Sequence, residues 1–205
     1  MKRVYVITHT ESLHHIQGLG GGWFDTSLTD RGKEQARNIA KRLFEELGVA
    51  DTPIYCSDLK RVSEVAFILK EFFQSPLIKD LRLREMCFGD AEGKDKNWQS
   101  ANIIFPTDSN RMDHRIYKNS ESRRELANRI NDFMNDLEQN LSENAIIVTH
   151  GFALTFVILS WLKIPIENME YANFKGSPGG VTLLVEDDIF RNREVAFLNN
   201  ISFIK

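Results

Sequence analysis

Short, almost unbroken apolar runs alternate along this chain with longer stretches in which apolar residues return every third or fourth position. Residues 3–8 (Arg-Val-Tyr-Val-Ile-Thr) are β-branched and nearly continuously apolar, the pattern of a strand buried on both faces of a parallel sheet. Ala36, Ile39, Ala40, Leu43, Phe44 and Leu47 then fall at helical spacing, with Thr29 as N-cap, Asp30 in the first turn and Gly48 as the stop. The alternation repeats. Residues 53–56 predict a second strand, and Ser57-Asp58 is placed as the cap of a helix running to about Phe73, with Val62, Val65, Ala66, Leu69 and Phe72 on its apolar face. Ser120 is expected to open an amphipathic helix carrying Leu126, Ile130, Phe133, Met134 and Leu137. Residues 145–149 predict another buried strand and residues 152–162 another helix, stopped by Pro165. Residues 181–185 and 194–198 look like late strands, antiparallel at an edge. Strands alternating with helices predict an α/β sandwich with a mostly parallel sheet, and ligands in such folds bind beyond the carboxyl ends of the strands.

A length of 205 residues suits one domain spanning 1–205. Residues 94–119 are polar and poorly periodic, and are read as a surface excursion covering something. With 42% hydrophobic and 27% charged residues the chain is an ordinary globular one, and a net charge of −3 (26 basic against 29 acidic residues) advertises no nucleic-acid or membrane partner. Cys56 and Cys87 are too few for a disulfide framework or a cysteine-built zinc site and read as free thiols. The apolar run after Met1-Lys2-Arg3 is far shorter than a signal core. The longest apolar stretch, 152–162, is broken by Thr155 and Ser160 and is too short to span a bilayer. The expectation is a cytoplasmic protein, with a homodimer left open.

Three of the predicted strand ends carry the chemistry. Thr8, His9, Thr10 and Glu11 follow the first, Ser57 and Asp58 the second with Arg61 a helical turn on, and Thr149, His150 and Gly151 the third. Two histidines in the same strand–Thr–His context, with an arginine, would thus converge on one sheet edge. A metal site could recruit His14 and His15 beside His9, but Arg61 would repel the cation. An oxyanion fits better: the guanidinium offers forked donors to phosphate, a neutral imidazole can attack phosphorus, and a second, protonated imidazole can steady the oxygens. The glycine-rich stretch 18–22 has no Lys-Ser/Thr after it and is no nucleotide P-loop. Trp23, Trp98 and Trp161 read as packing residues, since no basic stripe surrounds them.

These residues resemble the histidine phosphatase superfamily, the phosphoglycerate-mutase-like fold. The opening block is Thr8-His9-Thr10-Glu11-Ser12, followed by Gly22-Trp23-Phe24-Asp25-Thr26-Ser27-Leu28-Thr29-Asp30-Arg31-Gly32. A second block is Ser57-Asp58-Leu59-Lys60-Arg61, and a third is Leu83-Arg84-Glu85-Met86-Cys87-Phe88-Gly89-Asp90-Ala91-Glu92-Gly93. Glu121-Ser122 and Val148-Thr149-His150-Gly151 complete the series, in the family's order over residues 3 to 160. The resemblance implies a three-layer α/β/α sandwich and a metal-independent phosphomonoesterase that acts on a small-molecule phosphorylated substrate and needs no cofactor. It implies His9 as nucleophile, Arg61 and His150 on the phosphoryl oxygens, and Glu85 as general acid and then base, with a raised pKa. Without that role Glu85 would be a solvated charge paired with Arg82 or Arg84.

The match departs from the family at three positions. Thr8 stands where the family has an arginine, Thr10 where it has a glycine, and His15 where it often has a phosphate-binding asparagine. Thr8, Ser12 and His15 are placed at the phosphate, and His14, His15 or Lys175 could restore the missing charge. The Thr10 Cβ is expected to crowd its turn. A catalytically weak or inactive binder of phosphorylated ligands, a phosphoglycerate mutase-type phosphotransferase, and a metal-dependent hydrolase on His9, His14 and His15 stay open. The mutase reading is weakened by the short segment after Gly93. Arg111 and Arg115 there could meet a charged substrate tail or belong to a solvated helix face.

Overall fold

The computed structural model describes residues 1–48, 52–107, 109–141 and 143–205, so Asp108 of the excursion lies outside the described residues. The elements are β1 (Lys2–Thr8), α1 (Leu13–Gln17), α2 (Asp30–Leu47), β2 (Ile54–Cys56), α3 (Lys60–Phe73), β3 (Leu77–Lys79), α4 (Lys96–Asn102), α5 (Arg123–Asn140), β4 (Asn144–Thr149), α6 (Ala153–Trp161), β5 (Val181–Glu186) and β6 (Arg193–Asn200). The sheet order is β3-β2-β4-β1-β5-β6. The first four strands are parallel, and β5 and β6 pair antiparallel beside β1.

Strand alternation sorts the core into two layers. Val4, Val6, Ala145 and Ile147 pack against α5 and α6 on one face. Tyr5, Ile7, Ile146 and Val148 pack against α2 and α3 on the other. The architecture is a three-layer α/β/α sandwich. Thr29 caps α2 by accepting from the Gly32 amide at 2.9 Å, and Gly48 ends it at φ 65°.

Two caps differ from expectation. The α5 cap is Ser122, not Ser120: its hydroxyl accepts from Glu125 N–H while the Glu125 carboxylate accepts from Ser122 N–H, a reciprocal pair that fixes the start. Helix α3 begins after Leu59, which has no capping side chain; Asp58 is held by Arg84 at 2.7 Å, Ser57 lies beside His150, and the Lys60 amide donates instead to Asp25 Oδ1 at 2.7 Å. Register does the rest. Thr8 pairs with Thr149, and Cys56 with Val148, so β1, β4 and β2 end at one level and deliver His9, His150 and Ser57 side by side. No helix among the described residues is long and apolar enough to cross a membrane.

Candidate active site

His9 leaves β1 with Nδ1 2.9 Å from the Thr10 carbonyl. A carbonyl can only accept, so Nδ1 carries the proton and the lone pair sits on Nε2. That nitrogen accepts from Arg61 Nε at 3.2 Å. Arg61, only 1% exposed, spends its other donors on the carbonyls of Phe24 (2.8 Å) and Gly22 (2.6 Å) and on His150 Nδ1 (3.3 Å). Since the guanidinium cannot accept, His150 Nδ1 does, and its Nε2–H donates to Ser57 Oγ at 3.1 Å. His150, expected as a protonated ring on the phosphoryl oxygens, is instead neutral, fully buried behind Arg61 and outside the cavity wall, so its ring orients the guanidinium and backs His9, the two centroids lying 5.3 Å apart.

The cavity in front of His9 has a volume of about 270 Å³ and is walled by His9, His14, His15, Arg61, Glu85 and the backbone of Gly20, Gly21 and Gly22 among others. Gly22 has φ +50°, and a Cβ there would lie 2.9 Å from the Phe88 amide nitrogen, so a glycine is needed where the carbonyl turns toward Arg61. Gly32 meets a closer constraint. A Cβ on it would sit 2.0 Å from the Glu11 carbonyl oxygen, which lets α2 dock directly on the loop behind His9. Thr10 fits that loop without positive φ, and its hydroxyl donates to the Gly32 carbonyl at 2.7 Å; the expected crowding does not arise.

The other expected phosphate contacts divide. Thr8 lines the cavity, but its hydroxyl donates to the carbonyls of Ser177 and Gly180, tying β1 to the 176–180 turn. Ser12 is buried and outside the wall; its Oγ lies 3.0 Å from His14 Nδ1 and 3.2 Å from His15 Nδ1, where it sets both rings. His15 stacks on His9 at 5.2 Å with planes 12° apart. Lys175 is exposed and does not reach the wall.

Burial, reinforced by the charge of Arg61, pushes the pKa of His9 and of His150 well below the ordinary value. Burial takes His14 down to about 3 and lowers His15. The imidazoles are therefore neutral at physiological pH, as a nucleophilic His9 requires. His9, His14 and His15 offer nitrogens within 4.8 Å of one another and could close on a transition metal. The Arg61 guanidinium 3.2 Å from His9 Nε2 opposes a cation there.

Glu85 pairs with neither Arg82 nor Arg84, which are held by Asp80 and Asp58. Its carboxyl accepts from the amides of Met86 (3.0 Å), Phe152 (3.1 Å) and Ala153 (3.0 Å), the last two at the start of α6. Burial raises its pKa, opposed by those amides and by Arg61. Two residues not foreseen as site residues hold it from behind. Arg129 donates to the carbonyls of Arg82, Arg84 and Glu85 at 2.6–2.7 Å and pairs with Glu121. Trp23 Nε1 donates to the Glu85 carbonyl at 2.7 Å, so this tryptophan positions the acid as well as packing. Arg129 sits on the polar side of an amphipathic helix, where nothing in the sequence separates a brace from a solvated charge. Gln99, from α4, also reaches the cavity wall.

Residues 4–196 match the family model of the histidine phosphatase superfamily (branch 1), and the chain belongs to that superfamily. A Hydrogenobacter thermophilus protein with the provisional name phosphoserine phosphatase 2 is 31% identical over 173 residues, covering 82% of this chain and 83% of its own. An Escherichia coli protein provisionally named phosphoglycerate mutase GpmB is 31% identical over 176 residues, covering 80% of this chain and 77% of its own. Among solved structures, the alpha-ribazole phosphatase from Shigella flexneri superposes with a TM-score of 0.79 at 26% identity, over 97% of this chain and 96% of that one.

Proposed function

We propose that this protein is a metal-independent phosphomonoester hydrolase that works through a phosphohistidine on His9. The observation that carries the reading is the tautomer of His9: the Thr10 carbonyl holds Nδ1–H, leaving Nε2 as a lone pair at a cavity that Arg61 and Glu85 also line. The phosphatase names among the relatives support the same class.

In the first step the Nε2 lone pair bonds to phosphorus as the bond from phosphorus to the alcohol oxygen breaks, and the protonated Glu85 gives its proton to that oxygen. The ring becomes cationic, and the Thr10 carbonyl on Nδ1–H steadies it. In the second step Glu85, now a carboxylate, takes a proton from water, the water oxygen attacks phosphorus, and the P–N bond breaks to return neutral His9 and release phosphate. Arg61 must first release Nε2, after which its Nε–H is free for a phosphoryl oxygen. An arriving phosphate dianion also raises the pKa of Glu85 further, favouring the protonated acid when it is needed.

The test is steady-state hydrolysis of an aryl phosphate with trapping of the phosphoenzyme. Wild type should turn over and carry one phosphoryl group on His9, His9→Ala should lose on the order of 10⁴-fold or more, and a chelator should change neither. Equal turnover by the two proteins would remove His9 as nucleophile. Tight phosphate binding without turnover in either would make the chain a phospholigand binder, the reading that Thr8 in the family's arginine position favours. Loss on chelation with recovery on zinc would move the chemistry to the three-histidine cluster.

A further inference from the structure

The excursion covers a second cavity of about 180 Å³, and this is its least expected feature. The stretch read as merely polar carries Ile103, Ile104, Phe105 and Pro106, which with Met86 and Phe152 give the cavity an apolar lining. His114 Nε2 lies 2.7 Å from the Ile104 carbonyl, and Ile104 N–H donates to the Ile116 carbonyl at 2.9 Å, so the roof is tied shut on itself.

Two arginines enter this apolar space. Arg111 lies over the Tyr171 ring at 4.5 Å, makes no hydrogen bond or ion pair among the described residues, and buries its Nε without a partner. It belongs to no solvated helix face. Arg123 lies over Phe152 and Phe156 at 5.2 and 5.3 Å, gives Nη2 to the carbonyls of Met169 and Ala172, and also buries an unpartnered Nε. Neighbouring arginines differ: Arg115 is paired with Glu125, Arg124 with Asp113 and Arg129 with Glu121. Burial, and then the charge of Arg111, lower the Arg123 pKa. Two like charges in an apolar pocket are costly unless an anion joins them.

The position of the cavity says what that anion belongs to. Glu85 and Gly151 line the phosphate cavity, and the next residues along both segments, Met86 and Phe152, line this one. A leaving group that takes its proton from Glu85 lies on this side. We propose that the alcohol portion of the substrate is an apolar body ending in an acidic group, and that the acidic group docks between Arg111 and Arg123. This rests on the phosphatase reading and deepens it.

Phenyl phosphate and 4-(2-carboxyethyl)phenyl phosphate separate the two ideas, since their leaving groups are electronically similar. The carboxylated ester should show kcat/KM about 10- to 100-fold higher, mostly through KM, the size expected for one charge-assisted contact. That ratio should collapse toward one in Arg111→Gln and recover in part in Arg111→Lys. Equal kcat/KM for the two esters, or a preference that Arg111→Gln leaves intact, would overturn the proposal while the phosphatase reading stands. If neither ester is hydrolysed in a His9-dependent way the phosphatase reading fails by itself. Calorimetry with 3-phenylpropionate then decides the cavity: binding lost in Arg111→Gln upholds an acid site, and no binding to wild type removes it.

Discussion

Arg61 and Arg111 stand in adjoining cavities and are held in opposite ways. Arg61 contacts two backbone carbonyls and two imidazoles, and every contact fixes part of the site. Arg111 rests on one aromatic face and donates to nothing among the described residues. The first is a buried cation solvated by protein, the second a half-buried cation with donors to spare for a ligand. The contrast implies that one arginine holds up structure and chemistry together, whereas the other acts only in choosing a substrate.

Replacing Arg61 tests that contrast most severely. Arg61→Gln should reduce turnover roughly 10³-fold, as for loss of a buried oxyanion donor, and destabilise the fold by roughly 3–5 kcal/mol because the carbonyls of Gly22 and Phe24 lose their donors. Denaturant unfolding of Arg111→Gln should move by no more than about 1 kcal/mol, since no hydrogen bond is lost and loss of the Tyr171 contact is offset by relief of the repulsion from Arg123. Comparable destabilisation by the two variants would erase the distinction.

Glu85 lines the first cavity and its neighbour Met86 the second, and replacement of Glu85 comes next in size. Glu85→Gln should slow an alkyl phosphate roughly 10²- to 10³-fold, and a nitrophenyl ester much less, because a good leaving group needs little protonation. The pH profile carries a sign. Burial raises the Glu85 pKa, so the acid form persists above the usual carboxyl range, and the wild-type rate on the alkyl ester should fall as pH rises through that raised value. Glu85→Gln should lack this limb, and a limb that survives the substitution assigns it to another group.

The strand-end half of this picture is legible in the sequence because short apolar runs announce where β1, β2 and β4 stop, and the polar residues just past them have little else to do. Strand β3 is not: it has three half-buried or exposed residues at a sheet edge, with no periodicity to show. The second cavity stays hidden for a related reason. Ile103, Ile104 and Phe105 follow no helical or strand period, and Arg111 looks like any surface charge until the fold places it over Tyr171. Thr8 is the mixed case. Thr8 is visible as a departure from the family pattern, but only the structure shows its hydroxyl engaged with the 176–180 turn. Thr8→Arg should raise turnover, by about 10- to 150-fold if the new guanidinium meets only the transition state. An unchanged or slower rate would mean that the lost turn contacts matter more than the added charge.

The smallest expected effect separates the cavities by acid. His14 is folded in its neutral form with a pKa of about 3, held down first by burial and then by the charge that His15 takes on in acid, while an unfolded histidine titrates near 6.5. A group depressed on folding stabilises above its unfolded pKa, and that contribution is lost as pH falls from about 6.5 toward the folded value. Between pH 7 and pH 5 few carboxylates change state, so histidines dominate the change, and His14 alone should account for roughly 1–2 kcal/mol of lost stability. Denaturant unfolding at the two pH values should show the wild type losing more than His14→Gln, which cannot take up the proton. Inorganic phosphate should narrow the gap, because an anion against the rings raises their folded pKa values and lets them protonate in place. If wild type and His14→Gln lose the same stability on acidification, the neutral imidazole cluster is not what acid attacks.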